Sequence, residues 1–131
     1  MFMLLNALIV GCGGFIGAAL RYVCAELLSV FSTGAFPLAT FAINFVGSFL
    51  IGVGSIALPA LFPDNKMPLL FATTGVLGGF TTFSTFSLET FGLLEESRYA
   101  MAGVYTLGSV VVCVLGVCTG RLIARGMVGQ S

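Results

Sequence analysis

Apolar residues run in four long stretches without a charge, and polar residues gather between these stretches. A helix needs about 20 mostly apolar residues to cross the hydrocarbon core of a bilayer, and each stretch reaches about that length. The pattern therefore predicts an all-α membrane protein with four transmembrane helices in a single domain covering residues 1–131. The predicted spans cover about 2–31, 38–61, 69–94 and 99–124.

Short polar segments join the predicted spans. Segment 32–37 contains Gly and Pro, segment 63–68 contains Asp, Asn, Lys and Pro, and segment 95–98 reads Glu-Glu-Ser-Arg. No basic region precedes the first apolar run, and no cleavage-type motif follows it. We therefore interpret this run as the first span rather than a signal peptide.

The composition agrees with a membrane protein and argues against several functions. The chain is 58% hydrophobic and 8% charged, with a mean hydropathy of +1.13, which is more apolar surface than a soluble domain of this size can bury. The net charge is zero, which argues against a nucleic-acid partner. The sequence has no His and no pairing of a nucleophile with a base, so an enzyme is not expected. We expect a multi-pass protein of the inner cell membrane.

The four cysteines all lie within apolar segments, and none forms a C-x-x-C pair. This placement favours small buried hydrophobic side chains over a redox or metal-binding role. The residues are Cys12, Cys24, Cys113 and Cys118.

The placement of Lys and Arg leaves the orientation in the membrane open. With four spans, both termini and the second loop lie on one side, which holds Lys66, Arg121 and Arg125, whereas Arg21 and Arg98 lie towards the other. Three against two is a weak bias under the positive-inside rule. It fits insertion in both orientations with head-to-tail pairing, and it fits equally a modest preference for one orientation.

Small and polar residues define faces on the first two spans. Gly13 and Gly17 lie one turn apart, which lets a neighbouring helix approach closely. Arg21 cannot face lipid at low cost, so it either anchors the span at the interface or lines a watery vestibule. In the second span Asn44 and Ser48 share a face. A buried amide can bond another helix or donate its N–H groups to an anion.

The fourth span has a comparable polar stripe. Tyr105, Ser109 and Cys113 recur at four-residue steps, followed by the small-residue pair Gly116 and Gly120. The Tyr and Ser hydroxyls can line a pore, or they can satisfy the backbone of a neighbouring helix.

The third span is the most unusual because it places two adjacent glycines and a run of hydroxyl residues in an apolar helix. We expect the third helix to be broken near its middle. Gly78 and Gly79 are one place where a break could fall, because glycine weakens a helix by about 1 kcal/mol relative to alanine. A break would free carbonyl groups, which are good ligands for a hard cation. The alternative is close packing of two helices at these glycines, which needs no break.

Phe83, Phe86 and Glu89 follow at three-residue steps, so they lie along one face, beside Ser84 and Thr85. The edge of a phenyl ring is electropositive. Two ring edges with hydroxyl and amide donors nearby could hold a small dehydrated anion weakly enough to release it, as conduction requires. Most phenylalanines in membrane helices only cover apolar surface, so the pair alone does not establish an anion site.

Taken together, these segments resemble the Fluc (CrcB) family of fluoride channels of bacteria and other microbes. The resemblance covers nearly the whole chain, and its third segment is the most specific. It implies a dual-topology homodimer of two antiparallel subunits with two fluoride pores, which exports fluoride passively and confers fluoride resistance. The segments that carry the resemblance are 13–22, 40–47 and 75–89.

The resemblance also implies roles for individual residues. Phe83 and Phe86 would be the ring pair that contacts fluoride, Asn44 would be the amide donor, and Arg21 would add positive potential at a vestibule. The other residues implied along the polar path are Ser84, Thr85, Glu89, Tyr105 and Ser109.

A structural Na⁺ on the dimer axis is implied as well. The carbonyl groups of Gly78 and Thr81, from both subunits, would hold it. A buried monovalent cation would help offset the cost of an anion at membrane depth.

Two other functions remain open on the sequence. A proton-coupled exporter that pairs antiparallel would need a membrane-embedded carboxylate, for which Glu26 and Glu89 are the candidates. A non-conducting assembly subunit would explain the small-residue pairs as packing contacts. It would not explain the hydroxyl-rich segment around the two phenylalanines.

Overall fold

The computed structural model describes residues 2–32 and 34–129, and this part of the chain consists of helices and short connections without a β-strand. The third span is assembled from four consecutive helical pieces that together cover Met67–Glu95. In chain order the elements are α1 (Phe2–Ser29), α2 (Leu38–Leu61), α3 (Met67–Leu69), a π-helix (Leu70–Leu77), α4 (Gly78–Phe80), α5 (Phe83–Glu95) and α6 (Tyr99–Val128).

The four spans are long and apolar enough to cross a membrane. Even the shortest, α2, has 24 residues. At 1.5 Å per residue it is about 36 Å long, whereas the hydrocarbon core is about 30 Å thick. The predicted all-α architecture with four transmembrane helices is confirmed, and the protein is a multi-pass membrane protein. The last helix continues to Val128, beyond the predicted end at 124.

The predicted break near the middle of the third span is confirmed, and it lies just after the two glycines, at Thr81 and Thr82. Both glycines are helical, and the chain becomes extended at Thr81 (ψ 159°) and Thr82 (φ −150°, ψ 121°). Gly79 instead allows a close approach, because a Cβ atom there would lie 2.5 Å from the Gly14 carbonyl oxygen of α1. The alternative reading of close helix packing therefore accounts for Gly79.

Small residues hold α1 against the first half of the third span, as the sequence predicts. A Cβ atom added at Gly13 would lie 2.6 Å from the Phe71 carbonyl oxygen, and one added at Gly17 would overlap the carbonyl oxygen of Val76. Backbone therefore packs directly on backbone along this contact, which supplies van der Waals attraction where lipid removes the hydrophobic driving force.

A second small-residue contact joins α2 to α6. Gly52 leaves room for the Val117 backbone, and Gly120 leaves room for the Phe49 backbone. Further contacts give the direction, since Phe41 lies near Gly108, Phe45 near Gly116 and Phe49 near Gly120. Residue numbers rise together along this series, so α2 and α6 run in the same direction. This pairing sets the polar faces of the second and fourth spans side by side.

The second half of the third span packs on α6. Its buried cluster contains Phe86 and Leu93 of α5 with Ala102 and Tyr105 of α6. Many other large apolar side chains are exposed on the protomer surface, as expected for a chain surrounded by lipid or by another subunit.

Candidate functional site

The extended segment at Thr81 and Thr82 is fixed by the side-chain amide of Asn44 on α2. The Asn44 Nδ2 group donates to the Thr82 carbonyl oxygen (2.9 Å), and the Thr82 N–H donates to Asn44 Oδ1 (2.8 Å). A helix broken at membrane depth exposes backbone groups that no water satisfies, so a partner with both a donor and an acceptor is needed. Asn44 supplies both and keeps one N–H free, since the amide has two donors.

The side chain of Thr82 starts the helix that follows. Its Oγ1 accepts a hydrogen bond from the Thr85 N–H (3.2 Å), which is an N-terminal cap. The same Oγ1 lies 3.1 Å from the Thr85 hydroxyl and 3.3 Å from the Ser84 hydroxyl. The hydroxyl run in the sequence thus builds the start of α5, and Ser84 and Thr85 both belong to it.

The break leaves two carbonyl groups without their helical donors in the described part of the chain. In a continuous helix the Thr82 N–H would bond the Gly78 carbonyl and the Thr85 N–H would bond the Thr81 carbonyl. Both N–H groups donate to side chains instead, to Asn44 and to Thr82 respectively. Gly78 and Thr81 therefore present carbonyl oxygens that are available to a cation.

Arg21 lies at the level of the break. Its Nε donates to the Gly79 carbonyl oxygen (3.1 Å), and the side chain is partly buried. The contact adds a fixed positive charge beside the extended segment. A role of its remaining N–H groups in a vestibule stays a prediction.

Glu89 of α5 is held by hydroxyls from two other helices. The Thr40 hydroxyl donates to Oε1 (2.8 Å), and the Tyr105 hydroxyl donates to Oε2 (2.7 Å). Tyr105 is fully buried. One hydroxyl on each carboxylate oxygen lowers the cost of a carboxyl group at this depth, and it ties α2, α5 and α6 together.

The two phenylalanines have different surroundings. Phe86 is 8% exposed, whereas Phe83 is 78% exposed on the protomer surface. Their ring centroids lie 5.5 Å apart, and the Phe86 ring lies 5.2 Å from that of Tyr105. Phe86 thus stands between Phe83 and the Glu89 site.

A cavity of about 280 Å³ lies between α2, α6 and the break. Its polar lining includes Asn44 and Ser48 of α2 and Ser109 of α6, together with the threonines of the break, and the Phe86 ring forms part of its wall. Ser109 is 6% exposed, and its hydroxyl has no hydrogen-bond partner among the residues that the structure describes. A buried hydroxyl without a partner lowers the stability of the folded state. A ligand or water in the cavity that bonds the hydroxyl offsets this cost.

The fold brings most of the predicted site residues into one region around the break. Asn44, Phe83, Phe86 and Ser109 share the cavity, while Glu89 and Tyr105 bond each other behind Phe86. Sequence reasoning missed Thr40 and Thr82. Thr40 lies one turn before Asn44 on the same face of α2, so that spacing was available as a signal. Nothing local marked Thr82 as the partner of Asn44.

The sequence is also similar to known proteins. A family model described as "CrcB-like protein, Camphor Resistance (CrcB)" matches residues 8–121. A protein of Ruminiclostridium cellulolyticum named "Fluoride-specific ion channel FluC" is 48% identical to the chain, over 93% of this chain and 94% of its own length.

Two further relatives carry the same name. The protein of Elusimicrobium minutum is 44% identical over 95% of this chain and 98% of its own length. The protein of Helicobacter pylori strain Shi470 is 41% identical over 89% of this chain and 91% of its own length. The matched family is thus one of ion channels and not of enzymes.

Proposed function

The chain belongs to the CrcB-like protein family, and from this premise we propose that it is a fluoride-selective passive channel of the inner cell membrane. It exports fluoride down its gradient and so confers fluoride resistance. The observation that carries the proposal is the buried, unpartnered hydroxyl of Ser109 in a cavity that it shares with Asn44 and Phe86.

The donors around the cavity suit a small anion that accepts strong hydrogen bonds. The free N–H of Asn44 and the hydroxyl of Ser109 can replace part of the water shell of fluoride. Among the described residues that line the cavity there is no Lys or Arg. A neutral site holds the anion weakly, and an ion that is weakly held can leave as readily as it enters.

Phe83 and Phe86 are the proposed ring pair of the fluoride path. The electropositive edge of a phenyl ring attracts an anion without trapping it. The adjoining Ser84, Thr85, Glu89 and Tyr105 are the proposed polar continuation of the path. Hydroxyls that already bond each other or Glu89 would exchange those bonds for the passing ion.

We propose further that two antiparallel copies form the functional unit with two pores. Phe83 is 78% exposed in the single protomer, and a partner subunit would cover it. The nearly even distribution of Lys and Arg is compatible with insertion in both orientations. A C-terminal tag detected on both sides of the membrane in similar amounts supports this arrangement, and a tag on one side alone would contradict it.

A structural Na⁺ on the dimer axis fits the carbonyl oxygens that lose their helical hydrogen bonds at the break. The carbonyl oxygens of Gly78 and Thr81 would hold it, since their helical N–H partners bond side chains instead. Na⁺, when bound, supplies positive charge that offsets the cost of an anion at depth. The role of this chain is to hold those oxygens in place through the bonds of Asn44.

A Glu89→Gln variant separates a passive channel from a proton-coupled exporter. An exporter that depends on this carboxylate loses transport completely, whereas the channel keeps releasing fluoride from liposomes without a proton gradient. Thr40 and Tyr105 can still bond the amide, so the variant is expected to fold. Complete loss of flux in an assembled Glu89→Gln variant, together with flux in the unmodified protein that requires a proton gradient, would contradict the channel proposal.

A further inference from the structure

Cys113 lies on α6 one turn after Ser109 and lines the same cavity. It faces the cavity together with Ser48, which follows Asn44 by one turn on α2. Because α2 and α6 run in the same direction, these residues form a second layer next to the layer of Asn44 and Ser109. The sequence favours an inert buried thiol, but this thiol is partly exposed and lines a mostly apolar cavity that also carries hydroxyl and amide groups.

We propose that Cys113 is a modification site inside the ion path, where covalent attachment of a small group to the thiol closes the path. The inference rests on the proposed channel function and goes beyond it by making conduction sensitive to thiol-reactive electrophiles. The second observation that points to a ligand here is the unpartnered Ser109 hydroxyl, 6% exposed, in the same cavity.

The size of the cavity supports both access and block. One water occupies about 30 Å³, so a cavity of about 280 Å³ holds several waters and can admit a small reagent. The thiolate is the reactive form of a cysteine side chain. A methylthio group attached to Sγ would take up part of this space and replace a weak donor by an apolar cap.

The other cysteines serve as internal controls. Cys12 and Cys118 are exposed on the protomer, and Cys24 is partly exposed, but none of the three lines this cavity. A reagent that reacts with all four thiols should therefore change conduction only through Cys113.

The reagent for the test is methyl methanethiosulfonate, which is small and neutral. The Cys113 thiolate attacks the sulfenyl sulfur, an S–S bond forms to the methylthio group, and methanesulfinate leaves with the electron pair of the broken bond. The thiol proton passes to water. Dithiothreitol reverses the modification by thiol–disulfide exchange.

The experiment measures fluoride efflux from liposomes before and after treatment, and mass spectrometry locates the methylthio group. In a variant that retains Cys113 as its single cysteine (Cys12→Ala, Cys24→Ala, Cys118→Ala), efflux is expected to fall at least about tenfold and to recover with dithiothreitol. Efflux through the Cys113→Ser variant is compared with the rate of the same variant before treatment, and the reagent is expected to leave it unchanged.

Each other outcome has a defined meaning. Modified Cys113 with unchanged efflux would overturn the proposal, and so would an unreactive Cys113 in protein whose Cys12 and Cys118 are modified. If the untreated protein conducts no fluoride, the proposed function fails. The extent to which Cys113 is labelled then shows only whether the cavity admits the reagent. Rapid modification of Cys113 would support a cavity that admits the reagent, and absence of modification would refute it.

Discussion

The side-chain amide of Asn44 bonds both the N–H and the carbonyl oxygen of Thr82, at 2.8 and 2.9 Å. A single side chain thereby satisfies both backbone groups of a residue that lies outside any helix in the middle of a membrane span. Asn44 therefore acts mainly as a clamp that fixes the backbone of Thr82. Its second side-chain N–H can donate a hydrogen bond to an anion.

Asn44→Ala is expected to destabilise the protein by about 2–4 kcal/mol, because it leaves the Thr82 N–H and carbonyl without partners at depth. Thermal unfolding of the purified protein in detergent measures the change. The control is Asn65→Ala in an exposed turn, where a single side-chain bond to the Met67 N–H is lost. Equal stability of the two variants would contradict the clamp.

Gly17→Ala is expected to cost about 1–3 kcal/mol or to prevent folding, because the new methyl group would overlap the Val76 carbonyl oxygen. Gly103→Ala is the matched control, since no atom lies within 4 Å of a Cβ added there. The Gly103→Ala variant should have unchanged stability or be more stable by up to about 1 kcal/mol, because alanine favours a helix more than glycine does. Yield and thermal unfolding of the two variants distinguish these outcomes.

The sequence predicts the four spans and the small-residue contacts well, because bilayer thickness and close helix approach act through local composition. The position of the break is different. Local propensity points to Gly78 and Gly79, but the extended conformation falls at Thr81 and Thr82, where Asn44 bonds across 38 positions of sequence. The π-helix at Leu70–Leu77 also has no local signal that we recognised. The position of the break and the pairing of Thr40 with Glu89 both depend on hydrogen bonds between residues far apart in the sequence.

Phe83→Ile is expected to abolish fluoride efflux, because it removes the ring edge proposed to contact the ion. Folding is expected to stay intact, because the ring is 78% exposed in the protomer and contributes little to its core. The control is Phe91→Ile, which alters an exposed ring, 58% exposed, on the same helix. Efflux from liposomes and size-exclusion profiles are measured for both. Unchanged efflux in the Phe83 variant would remove the ring from the ion path.

Ser109→Ala is expected to keep or slightly raise stability, by up to about 1 kcal/mol, because the lost hydroxyl has no partner within residues 2–32 and 34–129. Fluoride efflux is expected to fall about tenfold, which corresponds to about 1.4 kcal/mol in the barrier. Thr119→Ala on the same helix is the control, since its hydroxyl bonds only backbone carbonyls outside the cavity. A loss of stability without a loss of efflux would make Ser109 purely structural.

The most direct test of the channel proposal is efflux of fluoride and of chloride from liposomes that contain the purified, assembled protein, without a proton gradient. The account predicts rapid loss of fluoride with negligible loss of chloride, because neutral hydrogen-bond donors favour the small anion that accepts the strongest hydrogen bonds. Absence of fluoride flux, or equal loss of the two ions, would contradict it.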